Sequence, residues 1–205
     1  MRRLCATLSM LLAIGACGYL LPSHHQTIEP SALQGGAFAL DPEHATLHWK
    51  VDHLGFSQFV GRFDRFDASL DFDPNDPAAA RLEVVVETAS VSTHVPGFAD
   101  ELRGRSWLDT DRHPEARFTS REITVTGPDT GTVTGELTLL GLTNPVTFGV
   151  TFNGGAPNIV TGRYTLGFAA HAVIDRTAFG LSTLAPAIGR EVTLEIHVEF
   201  VATAQ

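Results

Sequence analysis

The chain is 205 residues long with a formal net charge of −9, and Lys50 is its only lysine. Setting aside Arg2 and Arg3 takes the charge from −9 to −11, so there is no basic surface to neutralise a phosphate backbone and no nucleic-acid partner is expected. Both cysteines, Cys5 and Cys17, lie near the N-terminus, which leaves the rest of the chain without disulfide, thiolate or cysteine-ligated metal chemistry.

In chain order, Arg2 and Arg3 precede an apolar run over residues 4–21, the layout of an export signal. Ile14-Gly15-Ala16-Cys17 resembles a bacterial lipobox, in which the cysteine is lipidated. Tyr19-Leu20-Leu21 departs from that pattern, because lipoproteins usually turn polar soon after the cysteine. Left uncleaved, the run is about 18 residues, just long enough to span a bilayer. Three outcomes stay open: lipidation at Cys17, an uncleaved signal anchor, or a cleaved soluble protein. All three place the protein outside the cytoplasm, in the periplasm or cell envelope, and the first two associate it with the membrane through its N-terminus. Residues 22–37 lack a hydrophobic period and are rich in Pro, Ser and Gly, so they read as a linker, with His24 and His25 on a solvated tether. One domain is expected over residues 38–201.

From there the period is two, the mark of strands. Ala45, Leu47, Trp49 and Val51 form one face of the first, with His48 and Lys50 on the reverse. Phe66, Ala68, Leu70 and Phe72 form the second, whose earlier part holds Phe59, Gly61 and Phe63 and is expected to bend at Gly61. Residues 73–77 are a turn. Leu82, Val84 and Val86 make the third strand. Residues 118–125 make the fourth, whose parity slips between Phe118 and Ile123 and so predicts a bulge. Residues 132–152 read as a hairpin, with Val133, Leu137 and Leu139 on one face of the fifth strand and Val146, Phe148, Val150 and Phe152 on one face of the sixth. A Gly/Asn/Pro turn joins them. Residues 164–172 and 192–200 supply the seventh and eighth. Eight antiparallel strands close a small barrel with room for one ligand. The expected fold is all-β, an eight-stranded antiparallel barrel. The long interruption at residues 93–114 holds one short helix near residues 98–102, placed over one barrel end as a lid or a plug.

Few residues suggest reaction chemistry. His44, His48 and His53 follow Asp41 and Glu43, but His53 has the opposite parity and no carboxylate recurs at a regular spacing, so no metal is expected. His44 and His53 are expected to satisfy buried backbone groups at the ends of the first strand. Arg176, in the turn Asp175-Arg176-Thr177-Ala178-Phe179-Gly180, suits either an internal carboxylate that pins the loop or an anionic ligand headgroup. Ser57, Ser106 and Ser182 lack a nucleophile-elbow context, and there is no phosphate-cradling glycine loop.

Several segments together resemble the YceI-like family, the polyisoprenoid-binding, lipocalin-like proteins of bacteria. They are Leu40-Asp41-Pro42-Glu43-His44, Val51-Asp52-His53-Leu54-Gly55, Gly61-Arg62-Phe63-Asp64-Arg65-Phe66 and Leu70-Asp71-Phe72-Asp73. Further on come Ser90-Val91-Ser92-Thr93, Leu108-Asp109 with His113-Pro114, Phe118-Thr119-Ser120, Gly135-Glu136-Leu137-Thr138 with Gly141-Leu142-Thr143, and Asp175-Arg176 with Phe179-Gly180. The resemblance spans about residues 38 to 201 and implies an eight-stranded lipocalin-like barrel holding a long isoprenoid or similar amphiphile in its pore. Ala45 stands where the family usually has Ser.

The residues expected to line that pore and bind ligand are Trp49, Phe66, Leu70, Val84, Val86, Phe118, Leu137, Phe148, Val150, Leu166, Phe168, Leu194, Ile196 and Val198, with Arg176 as a further contact. The expected role is an exported carrier of a long-chain isoprenoid or quinone-like lipid, not an enzyme, needing no cofactor and with a homodimer possible through outer faces. Two alternatives stand beside it. One is an isomerase or hydrolase acting on an amphiphile, with His44, His53 or Arg176 catalytic. The other is a barrel filled by its own side chains.

Overall fold

The computed structural model describes residues 25–203; the expected export segment, with Cys5, Cys17 and His24, lies outside them. The strands are β1 (Gly36–Leu40), β2 (Thr46–His53), β3 (Ser57–Phe63), β4 (Phe66–Phe72), β5 (Arg81–Glu87), β6 (Val91–Thr93), β7 (Glu115–Val125), β8 (Thr130–Leu139), β9 (Leu142–Pro157), β10 (Tyr164–Asp175) and β11 (Ile188–Ala202). The one α-helix among the described residues, α1 (Phe98–Arg103), lies between β6 and β7.

These segments resolve into eight staves. β1 and β2 lie end to end along β11, pairing with its residues 200–202 and 188–197 respectively. β4 and β3 continue each other along β1 and β2, and β5 and β6 do the same along β4 and β3. β7 pairs antiparallel with β5, and from β8 to β11 each strand pairs antiparallel with its predecessor. The return of β11 onto β1 closes the ring, which is the eight-stranded barrel that the alternation predicts.

The breaks within the first three staves fall side by side and form a bend line. In the first, Pro42 brings no N–H to the ladder and the Asp41 side chain accepts the N–H of Glu43. In the second, the Asp64 N–H donates to the Ser90 carbonyl and the Arg65 carbonyl accepts from Glu87, both at 3.1 Å. In the third, buried Thr88 and Ser90 satisfy the turn by donating to the carbonyls of His113 and Glu87, each at 2.6 Å. The bend therefore falls at residues 64–65 and not at Gly61. What Gly61 provides is clearance, since a Cβ there would sit 2.2 Å from Cζ2 of Trp49.

Two further expectations are corrected in detail. The β8–β9 turn is only Leu140-Gly141, both at positive φ (54° and 76°), the two-residue geometry that matches strand twist. Asn144 and Pro145 lie inside β9, opposite Leu137 and Glu136. That proline is tolerated because the pairing of β9 with β10 does not extend past Gly149. Residues 27–37 are also not a free linker: Thr27 exchanges backbone hydrogen bonds with Gly155 at 3.1 and 2.8 Å, and Leu33 packs on the core. The bulge in β7 is present, between Ser120 and Glu122.

The barrel has two unlike ends. At one, the β2–β3 and β8–β9 turns, α1 and the β10–β11 loop converge, and Val91, Leu102 and Leu108 form a small buried cluster. α1 is short and is held by contacts more than by propensity. Arg103 donates to the carbonyls of Ala89 (2.8 Å) and Val91 (3.1 Å), and the Leu108 N–H donates to the carbonyl of Leu102. At the other end lie the β4–β5, β7–β8 and β9–β10 turns and the docked residues 27–35. Here Phe38, Leu70, Leu166 and Phe200 form a core cluster.

Candidate functional site

Inside the ring runs an apolar cavity of about 420 Å³, within the range of ligand-holding pockets. Its lining reaches from Trp107, Leu108 and Leu181 at the helix end to Ile28, Pro30 and Pro128 at the other. A ten-residue stave such as β8, rising about 3.3 Å per residue and tilted by about 40°, gives a lumen on the order of 25 Å long. The space is therefore a slender tube, not a compact bowl. Apart from Arg117, Asp129 and Arg176, no lining residue is charged.

Apart from Arg117, whose side chain alternates outward between buried Ala116 and Phe118, the exposed lining residues near a barrel end (Pro30, Val125, Pro128 and Thr130 among them) sit at the end away from α1. The rest of the lining at the helix end is buried or half-buried, as with Val51, Leu102, Leu108 and Ile174. The tube thus has a mouth at the β7–β8 turn, bordered by the β4–β5 turn and residues 28–33, and a floor under α1; the β9–β10 turn lies at the same barrel end without lining the tube.

Arg176 belongs to that floor. It is 4% exposed, and its guanidinium is spent on backbone: Nε donates to Gly189 (2.7 Å), Nη1 to Leu181 (2.5 Å) and Nη2 to Ile188 (2.8 Å). It also lies 5.9 Å from the Trp107 ring centroid, within cation–π range. Burial pulls its pKa down from the usual arginine value, with the Asp175 charge opposing. So Arg176 pins the loop, as one sequence reading held, but through carbonyls and not through a carboxylate. Asp175 turns to other donors. Thr177 and then Arg190 hydrogen-bond its carboxylate and hold its pKa down to about 2.

Of the residues expected to line the pore, Trp49, Phe66, Leu70, Val84, Val86, Phe118, Leu137, Phe148, Val150, Phe168, Leu194, Ile196 and Val198 lie on the cavity. Leu166 does not. It is fully buried among Phe38, Phe200 and Leu33 in the mouth-end core. There Gly155 leaves room for its side chain, because a Cβ would sit 2.7 Å from Cδ2. Leu47 and Val51 share the parity of Trp49 and were legible as lining. Trp107, Leu108 and Leu181 come from irregular segments and carry no periodic signal. The buried side-chain donor without a partner among the described residues is the Trp49 indole N–H.

The histidines are elsewhere. His44 and His53 are both exposed, and neither satisfies a buried backbone group. His44 pairs with Asp41 at 3.1 Å at the β1–β2 break, where Glu199 completes a trio of possible ligand atoms within 4.8 Å on the outer surface. Hydrogen bonding raises the pKa of His44 and lowers that of Asp41. His53 ends β2 at the far side of the bend, and Arg176 faces the tube floor. The three groups weighed as catalytic are not brought together.

The model of the YceI-like domain family matches residues 38–200. A UPF0312 protein of Yersinia pestis (strain Pestoides F) is 39% identical over 158 residues, which cover 77% of this chain and 81% of that protein. A UPF0312 protein of Pseudomonas putida (strain W619) is 36% identical over 157 residues, with the same coverage. Among solved structures, Burkholderia cenocepacia BcnA superposes with a TM-score of 0.71 at 26% identity, over 80% of this chain and 99% of that one. A polyisoprenoid-binding domain from Saccharophagus degradans, implicated in plant cell wall breakdown, superposes at 0.62 over 83% of this chain and 100% of that one. At 15% identity it shows a shared fold alone.

Proposed function

This chain belongs to the YceI-like domain family, and from that premise we propose that it is an exported carrier which holds the tail of a long-chain isoprenoid or quinone-like amphiphile along its lumen. The observation that carries this reading is the tube itself, apolar over its length, floored at one end and open at the other. The same fold in a domain described as polyisoprenoid-binding supports the class of ligand. The N-terminal run at residues 4–21 supports export, with tethering either by that run or by a lipid on Cys17.

The energetics suit carriage. Burying each CH₂-sized group is worth about 0.8 kcal/mol relative to water, so an enclosed tail is held firmly against release into solvent. A bilayer solvates the same tail equally well. Transfer between membrane and barrel is therefore close to neutral, and fit and headgroup contacts set its direction. A tether that keeps the mouth near the membrane raises the encounter frequency without adding affinity.

The test is mass spectrometry of organic extracts from the purified full chain, beside an Ala170→Trp variant. Ala170 is a half-buried lining residue, so an indole there fills lumen without replacing a core side chain. The wild type is expected to yield an intact long-chain amphiphile, unchanged on prolonged incubation. The variant is expected to lose it while its melting temperature holds or rises, since filling a void restores packing contacts. A folded Ala170→Trp protein carrying as much lipid as wild type would sink the lumen reading. Chemical conversion of the bound molecule would favour the enzyme alternative.

A further inference from the structure

We infer that the barrel docks on a lipid bilayer by its mouth end, through the rim sector formed by the β7–β8 and β9–β10 turns. This rests on the tethered-carrier reading above and adds which end, and which turns, meet the membrane.

The rim is chemically lopsided. Val125 is 53% exposed, Ile159 48% and Val160 86%, all on that sector. Their exposure is structured: the Asn158 side chain accepts the N–H groups of Val160 (2.9 Å) and Thr161 (3.1 Å), so the turn presents Val160 outward. The next turn round the rim, β4–β5, packs beside β7 and carries Asp73 and Asp76. Apolar tips beside the exposed Arg163, where the one turn carboxylate is the half-buried Asp129, and two carboxylates on the neighbouring turn fit an anionic bilayer met by the apolar side.

The helix end also exposes apolar tips, with Phe56 at 88%, Leu184 at 63% and Leu54 at 51%. The tether decides between the two ends. Thr27 is bridged to Gly155, at the mouth end of β9. Leu21, the last residue of the apolar run, is six residues before it, a reach of at most about 21 Å, and Cys17 is ten residues before it, about 35 Å. From Gly155 to Leu142 at the other end, thirteen residues of tilted strand stand about 33 Å high. A barrel standing on its helix end would hold Thr27 about 33 Å off the bilayer, beyond the about 21 Å reach of a chain whose residues 4–21 lie in it. A lipid on Cys17 reaches that far only with the chain drawn straight, which forfeits its conformational entropy. The mouth sector lies within easy reach of both.

The experiment is hydrogen–deuterium exchange of the full chain in phosphatidylethanolamine–phosphatidylglycerol nanodiscs, compared with detergent micelles. Expected is slowed exchange at residues 125–129 and 158–163 in nanodiscs, with residues 53–57 and 182–187 unchanged. Slowing at residues 53–57 and 182–187 instead, or at neither end, would overturn the proposal. So would slowing at the mouth turns that follows protein concentration in micelles, because a second copy would then be the occupant. As a second measurement, Val160→Asp should slow lipid transfer from phosphatidylethanolamine–phosphatidylglycerol vesicles by about tenfold, the effect of withdrawing one valine's burial. Lipid retained after extraction should be unchanged. If wild type retains no lipid, the carrier reading fails, while the exchange footprint still judges the docking face.

Discussion

Arg176 shows how far a residue's role can be inferred before its surroundings are known. A lone arginine in a polar turn between strands signals pinning or anion binding, and only the fold says which groups it meets. Here its fork closes on the carbonyls of Leu181, Ile188 and Gly189. Arg176→Met should strip three carbonyls of their charged donor and cost about 3 kcal/mol of stability in urea denaturation. Arg176→Lys should recover only part of that, because an ammonium cannot match a planar fork; full recovery would show that charge alone matters. Asp175 titrates within the same loop. Its folded pKa is held down at about 2, against an ordinary 3.8. An Asp depressed in the folded state stabilises above its unfolded pKa, and that contribution is lost as pH falls through the folded pKa. The stability advantage of wild type over Asp175→Asn is therefore expected to be full above pH 3.8 and to decay toward pH 2. A gap that stays constant over that window would refute the assignment. His44 and His53 mark the limit at this scale, since residue type and parity did not disclose that both ring systems lie outside, one on Asp41 and one at a turn.

At the scale of elements, the strands were legible wherever one face is apolar and the other wet, and the bulge in β7 was legible from its slip of parity. Phe118 and Ile123 both reach the lumen although five residues apart, because the ladder skips Arg121 between Ser120 and Glu122. Deleting Arg121 should leave both residues pointing inward on a regular ladder and cost about 1–2 kcal/mol, including its ion pair with Glu136. Deleting Thr134 from β8 should instead turn half of that strand inside out and abolish the folded state, read by near-UV circular dichroism. Equal tolerance of both deletions would mean that register is not set by the faces. The bend line at residues 41–45, 64–65 and 88–90 was not legible as a unit. Each break looks like a local turn, and only their hydrogen bonds across neighbouring staves align them. β1 was likewise missed, a five-residue strand beginning at Gly36 whose support is its pairing with β4 and β11 and not a long period of its own.

For the whole molecule, closure is the decisive event. A ring of eight staves leaves few unpaired edges to template association and sets the lumen's width through strand number and tilt. The same closure gives the molecule a direction: α1 with Trp107 and Leu108 floors one end, and the docked residues 27–35 border the other. The sequence by itself determined that residues 38–201 form strands apart from one short helix, that eight strands close on one another, and which alternating side chains turn inward, because those features depend on a period-two pattern that any half-buried strand must carry. Only the tertiary structure decided that the interior keeps a continuous void, that Leu166 packs solid while Phe168 faces the tube, and which end is open. Those outcomes depend on volumes and contacts between residues far apart in the chain, and no local pattern records a contact that exists only once the ring has closed.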